Sequence, residues 1–192
     1  MNKKLEAIIK TGKRIAIASL ASLAINVASG CASIENYIEP RVGVNIPVAE
    51  TTQDYPAVPK VGLAYGVNIN NAAKTVGIGV EAGLDYSHST GQYIKTNSLS
   101  PRFNVSGNFG GKNFKVSPFV GVNALSEFSQ VDIPEWDVHE KISNATLGIE
   151  LGVGATLFGA NARVGYTFMP ASQNVKGMVT ATIGYRFVFG KK

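Results

Sequence analysis

One cysteine, Cys31, and two histidines, His88 and His139, stand in a chain of 192 residues. A lone cysteine excludes an intramolecular disulfide and leaves a cysteine-based zinc site without ligands. Charge is scarce too: Asp, Glu, Lys and Arg make up 16%, against about 25% in soluble domains. No apolar run reaches the about 20 residues of a transmembrane helix. Glycine is plentiful at 21 residues, and 45% of the chain is hydrophobic, too much for a disordered polymer. The net charge of +5 raises the question of a nucleic-acid partner. Its placement answers against one. Residues 1–30 carry five bases against Glu6 alone, so the remainder is close to neutral and has no basic stripe.

Those thirty residues have the order of a bacterial secretory signal. Lys3, Lys4, Lys10, Lys13 and Arg14 precede the apolar stretch Ile15–Val27, and small residues Ala28-Ser29-Gly30 follow. Ala28-Ser29-Gly30-Cys31 also resembles a lipobox, at which a lipoprotein signal peptidase cuts before a lipidated cysteine. Cys31 is therefore a lipidation candidate, with ordinary cleavage after Gly30 or Ala32 as the other route. Residues 31–39 are expected to be a short periplasmic lead-in, 40–189 one domain, and 190–192 a tail.

From Arg41 the chain alternates with period 2, as a strand with two unlike faces requires. In the stretch 76–87, Val76, Ile78, Val80, Ala82, Leu84 and Tyr86 oppose Gly77, Gly79, Glu81, Gly83 and Asp85. Eight such segments follow one another without a helical interruption, with Phe119 as an apolar residue on the polar side. Each is near the 9–11 residues that cross a bilayer at a tilt. Short turns fall near 70–74, 110–113 and 158–159; longer loops fall at 49–59, 88–96, 126–143 and 170–176. All the short connections lie on one side and all the long ones on the other, as in an up-and-down barrel of an outer membrane. The expected fold is an all-β, eight-stranded antiparallel up-and-down transmembrane β-barrel.

The polar face decides which side is inside. It is built of Gly, Ser, Thr and Asn with few charges, whereas a soluble surface carries about 25–35% charged residues. An eight-stranded barrel has an interior just wide enough for side chains to fill it, which suits small residues beside a few long ones. Glu81, Asp85 and Glu150 would there balance Arg102, Arg163 and Arg186, because buried charges persist only when paired. These six are expected to form an ion-pair network that plugs the lumen, with Lys60 nearer a rim. Phe109, Phe114, Phe158, Phe187 and Phe189 collect at the short-turn ends, and Tyr86, Tyr166 and Phe168 towards the long loops, as interfacial girdles do.

On these residues the chain resembles the small eight-stranded outer-membrane barrels of the OmpA/OmpX type, over residues 38–189. Its last strand, Thr182 to Phe189, is similar to the family's assembly signal through Gly184, Phe187 and Phe189; Gly190-Lys191-Lys192 after the final aromatic depart from it. The resemblance implies the barrel-assembly machinery and outer-membrane lipid as partners and an extracellular ligand reached through the outer loops. It also implies a structural or surface-interaction role, here without an appended peptidoglycan-binding domain.

Chemistry beyond this is thinly signalled. Ser87-His88-Ser89 resembles the Ser/His pairing of an outer-membrane lipid A deacylase, but no spacing ties it to a carboxylate. The longest loop holds Glu127, Asp132, Glu135, Asp137 and Glu140 beside Trp136, without the spacing or turn glycine of a calcium loop. Asp132, Glu135, Asp137 and Trp136 are its interaction candidates, since tryptophan is favoured at binding hot spots. Gly77-Ile78-Gly79 lies in a strand with no helix after it, so it is no phosphate loop. No metal or cofactor is expected. A lipid-modifying enzyme and a small gated channel stand as alternatives to the interaction role.

Overall fold

The computed structural model describes residues 33–49, 56–91, 93–111, 113–134, 138–170 and 175–189. The leader 1–30, Cys31, Glu135, Trp136, Asp137 and the tail 190–192 lie outside the described residues. The strands are β1 (Ser33–Ala49), β2 (Val58–Asn70), β3 (Val76–Thr90), β4 (Ile94–Gly110) and β5 (Phe114–Ile133). After them come β6 (Val138–Leu157), β7 (Ala160–Phe168), β8 (Val175–Tyr185) and β9 (Phe187–Phe189). Each of β1 to β8 pairs antiparallel with its sequence neighbour. β9 resumes β8 after a break at Arg186, and both pair with β1, which also pairs with β2. The sheet thus closes into a ring of eight walls.

The closure has a definite stagger. A row of paired residues runs from Tyr37 through Gly66, Glu81, Asn104, Gly121, Glu150, Thr167 and Met178, and returns to β1 at Pro47. The return falls ten residues beyond the start, which inclines the strands roughly 40° to the barrel axis.

Burial is inverted relative to a soluble protein. Ile183 is 63% exposed and Leu151 57%, while Glu150 is 1% exposed and Thr167 0%. Lipid is the solvent that makes this favourable, since apolar side chains then meet hydrocarbon and polar ones meet each other. No described helix is long and apolar enough to cross a membrane; the crossing is made by strands. Phe119 breaks the alternation, as expected, and points inward; a Cβ on Gly152 would lie 2.5 Å from its ring and one on Gly165 3.3 Å. The two glycines make room for that ring.

The short side is built of tight turns. Phe158 and Gly159 both take positive φ (48° and 92°) between paired Leu157 and Ala160, the geometry of a two-residue type I′ turn. At the β2–β3 turn the Asn71 side chain accepts from the N–H of Thr75 at 2.8 Å, while Lys74 takes φ 55°.

Two expectations change. Residues 33–39, expected as lead-in, form the first half of β1. Their odd positions (Glu35, Tyr37, Glu39) are buried in the lumen, and the even ones (Ile34, Ile38) face out. The outer loops are also shorter than expected, because strands extend into them. β3 runs to Thr90, β4 starts at Ile94, and the 126–143 stretch is a hairpin paired up to Ile133 and Val138. Backbone pairing continues there although the apolar alternation that marks the membrane has ended. The ladders also stop unevenly: β6 pairs with β5 as far as Val138, but with β7 only up to Ile149. The upper parts of β3, β4, β5 and β6 therefore form a wall above one half of the rim.

Candidate functional site

The lumen holds the largest assembly of chemistry-bearing side chains. Glu81, from β3, is its hub. Its carboxylate accepts from Arg163 Nη1 at 2.6 Å and Nη2 at 2.5 Å, from Arg41 Nη1 at 3.1 Å and from the Tyr37 hydroxyl at 2.9 Å. The paired Nη–carboxylate contact with Arg163 is a strong charge-assisted geometry. Arg41 Nε also donates to Asp85 at 2.9 Å, and Lys60 Nζ to the other Asp85 oxygen at 3.0 Å. Strands β1, β2, β3 and β7 thus converge on two carboxylates four residues apart on β3.

Arg102, from β4, is held differently. Its Nη1 lies 3.4 Å from Asp85 and 3.7 Å from Glu150, and its Nη2 4.0 Å from Glu81. Its Nε and Nη2 find no hydrogen-bond partner among the described residues. It is shared between three acids and owned by none.

Of the six residues expected in one network, Glu81, Asp85, Arg102, Glu150 and Arg163 lie together. Arg186 is buried but belongs to a second cluster. Its Nε donates to Glu39 at 2.7 Å, and its guanidinium carbon lies 4.6 Å over the Tyr37 ring; Asn161 donates to the same Glu39 oxygen at 2.9 Å. Lys60, the third residue of β2 at its long-loop end, is also buried (6% exposed) and paired with Asp85. The sequence reading missed Tyr37, Glu39 and Arg41. Their signal was the inward parity of 35, 37, 39 and 41, which continues the polar face of β1 back beyond Arg41. A third cluster, Glu35 with Lys74 at 2.6 Å and Lys115 at 3.7 Å, lines a cavity of about 180 Å³ at the short-turn end.

These clusters fill the lumen from the short turns to past its middle. Glycines on the inner face let the side chains in; a Cβ on Gly66 would overlap the Tyr37 ring. Such an interior suits a closed rigid cylinder better than a wide pore, for which about 16–18 strands are used.

Ser87, His88 and Ser89 fall on alternating faces of β3. His88 points outward and its ring nitrogens meet Asn97 Oδ1 at 3.0 Å and Thr90 Oγ1 at 2.9 Å; Ser87 is buried in the lumen. The strand separates the serines from the histidine, so the arrangement expected of a hydrolase is not assembled here. In the hairpin, Asp132 lies 2.9 Å from His139 Nδ1 with both side chains more than half exposed. Among the described residues no three His, Cys, Asp or Glu side chains converge as a metal would require.

No family model and no curated protein matches the chain. Solved structures do. The attachment invasion locus protein Ail of Yersinia pestis superposes at TM-score 0.51 and 11% identity, over 80% of this chain and 98% of that one. Ail in complex with the heparin analogue sucrose octasulfate superposes at 0.50 and 11% identity, over 80% and 99%. A major outer membrane protein from Thermus thermophilus, 13% identical, gives 0.49 over 80% and 99%. This chain has the fold of the small eight-stranded outer-membrane barrels.

In such a barrel the final strand closes the ring. Gly184 faces Arg41, Phe187 faces Ile38 and Phe189 faces Asn36 on β1. Phe187 and Phe189 are about half exposed to the lipid side; Phe187 meets the Tyr185 ring edge-on at 5.0 Å, and Phe189 lies 6.3 Å from Tyr65. The aromatics of the expected assembly signal thus form part of the girdle at the short-turn end of the barrel.

Proposed function

We propose that the protein is an outer-membrane barrel whose filled lumen is a rigid stand and whose outer wall and loops bind an extracellular ligand. The unequal height of the ring carries this reading. β3 to β6 extend beyond the apolar belt, and no membrane or lumen requirement explains that extension. Ail has been solved with a sulfated sugar, which puts sulfated glycans first among the ligands to try. The test replaces residues 132–139 by a four-residue turn and compares adhesion of cells displaying each form to glycan and matrix-protein surfaces. Loss of adhesion with an unchanged heat-dependent gel shift supports the reading; equal adhesion of both forms overturns it.

Biogenesis fits the same proposal. Residues 1–30 export the chain, Cys31 is acylated, and Gly184, Phe187 and Phe189 are read by the assembly machinery. Metabolic labelling with palmitate, lost in Cys31→Ser, tests the acylation. A second reading, a small gated channel, is favoured by the loose placement of Arg102. It requires that Arg102→Ala raise single-channel conductance in planar bilayers.

A further inference from the structure

The ion-pair clusters of the lumen do not balance. Around Glu81, Asp85 and Glu150 stand Arg41, Lys60, Arg102 and Arg163, four bases on three acids. Arg186 takes Glu39 one to one. At the short-turn end Lys74 and Lys115 share Glu35. Together seven bases meet five acids, an excess of two positive charges. Inside a cylinder walled by lipid such an excess is costly, since a buried charge persists only beside a compensating one.

The cavity of about 180 Å³ at the short-turn end has room for a counter-charge. It is lined from around the ring by Glu35 of β1, Asn68 of β2, Lys74, Lys115 of β5 and Arg186. Three cations thus face one acid. Lys74 Nζ donates to Glu35 Oε1 at 2.6 Å, and Lys115 Nζ stands 3.7 Å from Oε2. Glu35 therefore holds two ammonium groups at the cavity instead of out in solvent. Each ammonium has three donors and the guanidinium five. Arg186 uses Nε on Glu39, and Asn68 accepts from Asn108 through Oδ1, which turns its amide N–H groups into the available donors. The Lys74 side chain is 31% exposed, so the cavity is reached from water at this end.

We propose that this cavity binds a soluble phosphate group, inorganic or carried by a small solute, between Lys74, Lys115 and Arg186. Charge selects the ligand. A phosphate monoester carries about −1.5 to −2 near neutral pH, which matches the excess of two positive charges. Its acceptor oxygens meet a lining rich in donors, and hydrogen bonds between ionised partners are about twice as strong as neutral ones. The ring of strands stands between the cavity and the bilayer, so the ligand arrives from the aqueous phase. The site lies at the opposite end of the barrel from the outer wall and goes beyond the ligand-binding reading of the loops.

The full chain, folded in octyl glucoside, is titrated calorimetrically with inorganic phosphate at about 0.15 M chloride, where exposed charges are screened beyond about 8 Å. Wild type should bind one phosphate saturably, and acetate clearly more weakly. K74Q and K115Q should each weaken phosphate binding about tenfold, and K115R should bind like wild type. E35Q should bind phosphate more tightly, because it removes the acid that competes for the lysines. K95Q, on the outer wall, should change nothing. Absence of saturable binding, equal affinity for acetate, or undiminished binding by K74Q/K115Q overturns the proposal. So does a loss in E35Q equal to that of the lysine variants, which assigns the cluster to structure alone. The heat-dependent gel shift shows that each variant is folded.

Discussion

The lumen and the outer wall share four strands, β3 to β6, yet they obey different rules. In the lumen, the charges of the Glu81 and Glu39 clusters sit beside opposite charges from other strands, because no water is there to replace a missing partner. On the wall, Asp132 and His139 pair while more than half exposed, and the ladder survives without a buried face. The lower region is held by what its side chains exclude, and the upper by backbone pairing anchored to a rigid base. The base can therefore tolerate few substitutions and the wall many.

The sharpest way to break this contrast is to remove the hub. Glu81→Ala leaves Arg163 buried without its acceptor and Arg41 with Asp85 alone, and should cost about 3–5 kcal/mol, read as a shift in urea unfolding followed by gel mobility. Arg163→Ala should match it. Arg102→Ala should cost clearly less, since its contacts are longer; equal losses would show that position in the cluster counts for more than hydrogen bonding. Packing comes next. Gly66→Val drives a side chain into the Tyr37 ring and should cost about 1–3 kcal/mol, with part of the loss recovered in a Tyr37→Ala background, where the cycle measures the clash. The smallest effect belongs to the wall: Asp132→Asn should change stability by less than about 0.5 kcal/mol. A larger loss there would mean that the wall is part of the structural base.

The membrane-spanning parts of the strands were legible in the sequence because each crosses a boundary between hydrocarbon and a crowded lumen. Val76 to Tyr86 could alternate only one way. The first half of β1 was harder to read, since Asn36 and Pro40 interrupt its outward apolar face and Glu35 and Glu39 look like a solvated lead-in. The wall was invisible for a related reason: above the bilayer neither face is dry, so Gln130 and Lys141 carry no hydropathy signal although they pair. That charges in the lumen meet opposite charges followed from burial alone. The connectivity did not, because Glu81 and Arg163 are 82 residues apart and the barrel's stagger decides which side chains share a level.

The break in the last strand at Arg186 bears on the order of folding. Its N–H donates to Gly159 of the β6–β7 turn at 2.8 Å, while its side chain reaches Glu39, 147 residues earlier. A contact of that separation carries a large loop-closure entropy and belongs among the late events of folding. One residue thus ties the end of the chain to both its beginning and its penultimate hairpin. Until Arg186 is seated, Glu39 faces a half-open cylinder without its ion-pair partner, so the completed seam and the pairing of Glu39 arrive together.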